Sequence, residues 1–153
     1  MLIKDILTGL KVEDLAGADR AGLVTVLSDS PVVEAAKKQK ENKIGMVVVC
    51  DAEGRLAGVL SERDVVHGLA EHGEKVADMA VGSLMTKDVK TCSLGDPPHE
   101  IMAKMNAGGF RHMPVVDGDT LKGIISSRDI IRHYMENCSP DEQAELMKNL
   151  TWV

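Results

Sequence analysis

The sequence predicts an α/β (α+β) chain made of two copies of one β-α-β-β-α unit. Three observations predict it. The stretch Gly58-Val59-Leu60-Ser61-Glu62-Arg63-Asp64 returns 65 residues later as Gly123-Ile124-Ile125-Ser126-Ser127-Arg128-Asp129. The residues before it return in the same order at an offset of 66: Val47-Val48-Val49-Cys50-Asp51 lies on Met113-Pro114-Val115-Val116-Asp117, Pro31 on Pro97, Glu34 on Glu100 and Thr25 on Thr91. Inside each copy, short β-branched runs alternate with stretches of helical period. A pattern that recurs with its neighbours in order is an internal duplication, and a unit of this size needs its twin to bury a core.

In the first copy, Val24-Thr25-Val26-Leu27 reads as a short strand. Ser30 reads as the cap of a helix with Pro31 at its first position, where a missing N–H costs nothing. Val33, Ala36, Lys40 and Ile44 follow at helical spacing. The apolar run Met46 to Cys50 reads as a strand covered on both faces. Glu53-Gly54 turns the chain into a strand over Leu56 to Leu60, and Ser61 opens a helix from about Glu62 to Glu71.

The second copy repeats the order. Thr91-Cys92 is strand, Asp96-Pro97 starts a helix with Ile101, Met102 and Met105 on its apolar face, and Gly108-Gly109 stops it. Met113 to Val116 and Leu121 to Ile125 are strands, and Arg128 to Met135 is helix. Pro114 inside a strand points to an edge or bulge position, because proline cannot donate to a ladder. Ile3 to Thr8 resembles Val81 to Thr86, so the organisation reads as a first unit over 1–74, a linker and second unit over 75–136, and a tail over 137–153. The tail opens with a capping box, Ser139-Pro140-Asp141-Glu142, followed by a stripe of Leu146, Met147 and Leu150 with Trp152 just beyond. Such a helix packs on its own domain or docks on a partner subunit.

Composition narrows the functions. The 153 residues are 44% hydrophobic with a formal net charge of −6 and one each of Phe, Tyr and Trp, a poor endowment for gripping a polyanion or stacking bases. Nucleic acid is therefore not expected as a partner. No apolar run reaches the ~20 residues that span a bilayer, so no membrane partner is expected. Met1-Leu2-Ile3-Lys4-Asp5 lacks the form of a signal peptide. Cys50, Cys92 and Cys138 are odd in number and widely spaced, unlike a disulfide framework or zinc site, and the expected compartment is the reducing cytoplasm. No P-loop, nucleophile elbow, metal cluster or paired carboxylates are found, so no catalytic residue and no metal ligand is assigned and the chain is not expected to be an enzyme.

The Gly-apolar-apolar-Ser-x-x-Asp stretches ending at Asp64 and Asp129, the Arg111-His112-Met113-Pro114-Val115-Val116-Asp117 run and Leu84-Met85-Thr86 resemble the CBS domain family. The resemblance covers about residues 1–136 and implies a stand-alone tandem pair, or Bateman module, of the bacterial type. It implies two pseudo-twofold-related CBS units packed sheet to sheet, with two clefts for adenosine-containing ligands (AMP, ADP, ATP, NAD or S-adenosylmethionine), and a disc-like homodimer. In unit one Val48 replaces the family's usual proline.

Chemistry supports such a ligand. Ser61 and Ser126 end a strand and begin a helix, whose free N–H groups and positive dipole end favour phosphate. Arg63 and Arg128 supply forked cations, and the Asp64 and Asp129 carboxylates suit the vicinal hydroxyls of a ribose. Carried over from the resemblance, one cleft uses Ser61, Arg63 and Asp64 with Val89, Lys90, Thr91, Arg111, His112 and Met113. The other uses Ser126, Arg128 and Asp129 with Val24, Thr25, Gly45, Met46 and Val47. The first holds more positive charge and is expected to take the more highly phosphorylated ligand. Ser-x-x-Asp at a helix start is equally a capping box, and both readings stand at this point. The functions weighed are a nucleotide sensor signalling to a separate, unknown effector protein, a ligand-free protein–protein interaction module, an enzyme and a nucleic-acid binder.

Overall fold

The structure, a computed structural model, describes Ile3, residues 23–118 and 120–148, and Leu150. Two compact units divide it: Gly22–Val89 forms one, and Lys90–Val153 forms the other with Ile3 in its core. The first unit runs β1 (Thr25–Leu27), α1 (Val32–Asn42), β2 (Met46–Cys50), β3 (Leu56–Ser61) and α2 (Glu62–His72), then a 3₁₀ turn (Gly73–Asp78) and the one-turn α3 (Val81–Leu84). The second runs β4 (Cys92–Ser93), α4 (Pro98–Gly108), β5 (His112–Asp117), β6 (Thr120–Ser126) and α5 (Ser127–Asn137), followed by α6 (Pro140–Lys148). The duplicated β-α-β-β-α order is present in both.

Each unit holds a three-stranded sheet, β1-β2-β3 and β4-β5-β6, in which the first pair is parallel and the second antiparallel. The run expected to be covered on both faces is buried at all five positions of β2. Val47 and Val49 pack with Leu60, Val32 and Ala35 in the first core, and Met113 and Val115 pack with Ile125, Ile101 and Met105 in the second. Leu60 is fully buried, worth roughly 1.5–3 kcal/mol of transfer free energy. Cys92 lies in the second core, where burial pushes its thiol pKa up to about 12, so it behaves as a small hydrophobe.

The duplication extends to irregularities. The β2–β3 register shifts between Val49 and Cys50, and the β5–β6 register shifts at the equivalent Val115 and Val116. In both copies the bulge leaves one extra residue near the start of the third strand, Ala57 or Lys122, close to the hairpin turn.

Pro114 lies in the central strand of its sheet, not at an edge. The adjoining strand is shortened instead. In the first unit β1 pairs with β2 over Thr25↔Val48, Val26↔Val49 and Leu27↔Cys50, and the Val48 N–H donates to the Val24 carbonyl at 3.2 Å. The equivalent position in the second unit is Pro114, which has no N–H, and β4 pairs with β5 over only Cys92↔Val115 and Ser93↔Val116. Proline is tolerated here because the parallel ladder starts one residue beyond it.

Ser30 does not cap α1. The N-cap is Pro31 in extended conformation, with no side-chain cap bond. The orphan donors go to backbone: Val32 N–H donates to the Met79 carbonyl at 2.9 Å, and the Ser30 carbonyl accepts from Val81 N–H at 2.8 Å. Starting the helix at Val32 rotates the buried face to Val32, Ala35 and Gln39. Likewise α4 is preceded by Pro97, while the Asp96 carboxylate accepts from Ser93 N–H and Oγ in a turn. The expected box on α6 is present, with Glu142 accepting from Ser139 N–H at 2.8 Å. Leu146 of this helix is buried in the second core, whereas Trp152 lies outside the described residues.

The segment after α2 is a built part of the first unit. Ala80 bridges Pro31, and Thr86 bridges Val59 through N–H···O bonds of 3.0 and 2.9 Å. This strap explains the glycine that opens the repeated stretch. A Cβ at Gly58 would sit 2.6 Å from the Thr86 carbonyl oxygen and 2.9 Å from Met85 Sδ. The two α1-type helices also end differently: α4 stops at Gly109 with φ 69°, and α1 at the equivalent Lys43 with φ 53°. A lysine in this left-handed region costs about 1–2 kcal/mol.

Two substitutions test these constraints by chemical denaturation. Gly58→Ala is expected to destabilise by about 1–3 kcal/mol through overpacking against backbone. Lys43→Gly is expected to stabilise by a few tenths to about 1 kcal/mol. A neutral Gly58→Ala would remove the strap as the reason for that glycine.

Candidate functional site

In each unit the two parallel strands begin where the third strand ends, so their starts and the following helix start share one end of the sheet. In the first unit this end carries Val24, Thr25, Gly45 and Met46 beside Ser61. Met46 pairs with Ser61 and Val47 with Leu60. In the second it carries Thr91, Arg111 and His112 beside Ser126, with His112 paired to Ser126 and Met113 to Ile125. Val47 and Met113 are fully buried core side chains, so they can offer a ligand only main-chain atoms. Val89 closes the first unit in a turn, its N–H donating to the Lys87 carbonyl at 3.0 Å, and Lys90 and Thr91 are exposed ahead of β4.

The helix starts are closed by reciprocal caps. Asp64 N–H donates to Ser61 Oγ at 3.1 Å, and Asp64 Oδ2 accepts from Ser61 N–H at 2.8 Å and from the Ser61 hydroxyl at 2.9 Å. The second copy matches: Asp129 N–H to Ser126 Oγ at 3.1 Å, with Oδ2 accepting from Ser126 N–H at 2.9 Å and from the hydroxyl at 2.6 Å. The capping-box reading therefore holds at both sites. The serine hydroxyl proton is committed to the carboxylate and is not available to a phosphate.

The first helical residue is also engaged. Glu62 N–H donates to the Gly45 carbonyl at 2.8 Å, and Ser127 N–H to the Arg111 carbonyl at 2.9 Å. Each start thus keeps one main-chain donor, the amide of Arg63 or Arg128, without a protein partner among the described residues. The arginine side chains are exposed and form no ion pair there. Asp64 and Asp129 are half-buried, and their Oδ1 atoms carry no hydrogen bond among the described residues. What each start presents is one polarised N–H, one guanidinium and one carboxylate oxygen. That set can take an anion and a hydroxyl side by side.

The CBS domain family matches the sequence twice, over residues 12–71 and 81–136. The chain belongs to the CBS domain family. A curated relative, the uncharacterized 17.7 kDa protein in the bps2 3′ region of Acidianus ambivalens, is 34% identical over 120 residues, 74% of this chain and 71% of the relative. L-aspartate semialdehyde sulfurtransferase of Methanosarcina acetivorans is 34% identical over 109 residues, 71% of this chain; the chain spans only 21% of that enzyme's length. Among solved structures, a CBS-domain containing protein from Agrobacterium tumefaciens has a TM-score of 0.74 at 37% identity, covering 86% of this chain and 91% of that one. The CBS domain pair of protein MJ0100, in complex with 5′-methylthioadenosine and S-adenosyl-L-methionine, has a TM-score of 0.71 at 26% identity, covering 89% and 97%.

Within this CBS chain the repeated stretch does largely structural work. Gly58 admits the strap, Leu60 and Ile125 fill cores, and serine and aspartate close the helix start in both copies. Among the described residues, no helix is long and apolar enough to cross a membrane and no group of three or more His, Cys, Asp or Glu could hold a metal ion. One residue escaped the sequence reading. The Glu62 carboxylate lies over Gly45, its Cδ 3.5 Å from where a Cβ would stand. Its mismatch with Ser127 at the equivalent repeat position was the signal that could have found it.

Ser61→Ala and Ser126→Ala are each expected to cost about 0.5–2 kcal/mol in urea unfolding, because each leaves an N–H uncapped. Values near zero for both would show that the caps contribute nothing.

Proposed function

We propose that this CBS pair is a regulatory module that binds adenosine-containing ligands at its two strand-to-helix starts and passes the bound state to a separate protein. The observation that carries the reading is the twinned arrangement at Ser61–Asp64 and Ser126–Asp129. Each leaves one helix-start amide, one arginine and one carboxylate oxygen for a ligand after the cap is complete. The caps let Asp64 and Asp129 hold the helix through Oδ2 while Oδ1 takes a ribose hydroxyl. The Arg63 and Arg128 amides and side chains take a phosphate or another polar 5′ group. The adenosine compounds bound by the MJ0100 pair support this ligand class. AMP, ADP, ATP, NAD and S-adenosylmethionine are the candidates, and the role is binding rather than catalysis. A ligand can shift the arrangement that the effector reads only by its differential affinity for the two states.

A second reading, a ligand-free interaction module, is favoured by one observation: both serine hydroxyls and both Oδ2 atoms are satisfied inside the protein. A melting panel with adenosine, AMP, ADP, ATP, NAD and S-adenosylmethionine separates the two. The regulatory reading expects a rise in melting temperature with at least one compound, reduced in Arg63→Ala or Arg128→Ala. No rise with any compound at about 1 mM would leave the interaction module.

Self-association belongs to the same proposal. Val66 and Leu69 on α2 are 61% and 55% exposed, an apolar pair that a second copy would cover. Sedimentation velocity is expected to show a homodimer that Leu69→Glu converts to monomer. A monomeric parent chain would contradict the assignment.

A further inference from the structure

At the sheet end where the helix starts lie, four equivalent positions differ in one direction, while Lys43 against Gly109 runs the other way. Equivalent positions pair Val24 with Lys90, Gly45 with Arg111, Met46 with His112 and Glu62 with Ser127. Each replacement makes the second unit more basic or less acidic. Two of these positions are physically joined: Glu62 N–H bonds the Gly45 carbonyl, and Ser127 N–H bonds the Arg111 carbonyl. The two residues of each pair therefore adjoin each other beside the cap. In the first unit the spot holds a carboxylate, with Glu62 Oε1 and Oε2 at 3.5 and 3.8 Å from the Cβ position of Gly45. In the second the adjoining residues are an exposed arginine and a serine. Arg63 and Arg128, and Asp64 and Asp129, occur in both copies and cancel from the comparison.

We infer that these joined pairs make the two sites select adenosine compounds by the charge of the 5′ group. The Arg111–Ser127 spot takes a phosphorylated compound such as AMP. The Gly45–Glu62 spot repels phosphate and takes an uncharged thioether or a sulfonium, as in 5′-methylthioadenosine or S-adenosylmethionine. This rests on the adenosine-ligand reading above and names the ligand class for each spot. A unit charge at a distance of several ångströms in a solvent-exposed site changes affinity roughly three- to tenfold, and salt weakens the effect.

Isothermal titration of the full chain at low salt, with AMP, 5′-methylthioadenosine and S-adenosylmethionine, tests the inference in the parent, Glu62→Gln and Arg111→Gln. Both side chains are exposed, and melting curves check that the variants fold. Arg111→Gln is expected to weaken AMP roughly three- to tenfold while 5′-methylthioadenosine is unchanged. Glu62→Gln is expected to weaken S-adenosylmethionine by a similar factor and again to spare 5′-methylthioadenosine. Parent-like affinities in both variants, or AMP and S-adenosylmethionine responding alike, overturn the charge assignment and leave the adenosine reading standing. No binding of any of the three to the parent overturns both.

Discussion

The structure turns on a reciprocal hydrogen bond made twice, between a serine that ends a strand and an aspartate one turn into the next helix. A helix start leaves four N–H groups without helical partners, and burying such a start costs heavily unless they are satisfied. The serine–aspartate pair satisfies two groups with two side chains, and the carbonyl just ahead of the central strand, that of Gly45 or Arg111, takes a third. This fixes the angle at which α2 and α5 leave their sheets. It also sets what is left over, since a single amide and one carboxylate oxygen remain without a protein partner among the described residues at each site.

That remainder reconciles two readings of one sequence stretch. Capping and ligand binding compete only for the same atoms. In the proposed reading they divide them, with Oδ2 and the hydroxyl used by the cap and Oδ1 and the arginine amide left for a ligand. Duplication then lets the two starts diverge. The caps are held nearly identical, whereas the neighbouring side chains at 45, 62, 111 and 127 differ in charge, as they can because no cap bond depends on them.

Much of this was legible in the sequence because period and repetition are local signals. The strand and helix order, the buried run of β2, the box on α6 and the Ser-x-x-Asp helix starts all follow from residue type and spacing. The misreadings arose where distant chain segments decide. Ser30 reads as a cap, yet the Met79 carbonyl takes the Val32 donor from more than forty residues away. Pro114 reads as an edge or bulge residue; it is central, one residue before the register shift at Val115/Val116, because the short β4 yields its first pairing. Gly58 carries no local sign that Thr86 crosses it. Within the site, the type of residue at each helix start was readable, but which atoms of Ser61 and Asp64 were already spent was not, since that requires coordinates.

The most direct measurement is a ¹⁵N-resolved titration of the chain with 5′-methylthioadenosine and with AMP. The account predicts saturable shifts that are largest at the Arg63 or Arg128 amide, with the Asp64 and Asp129 amides remaining capped and nearly unmoved. Saturable binding that leaves both arginine amides unshifted would contradict it.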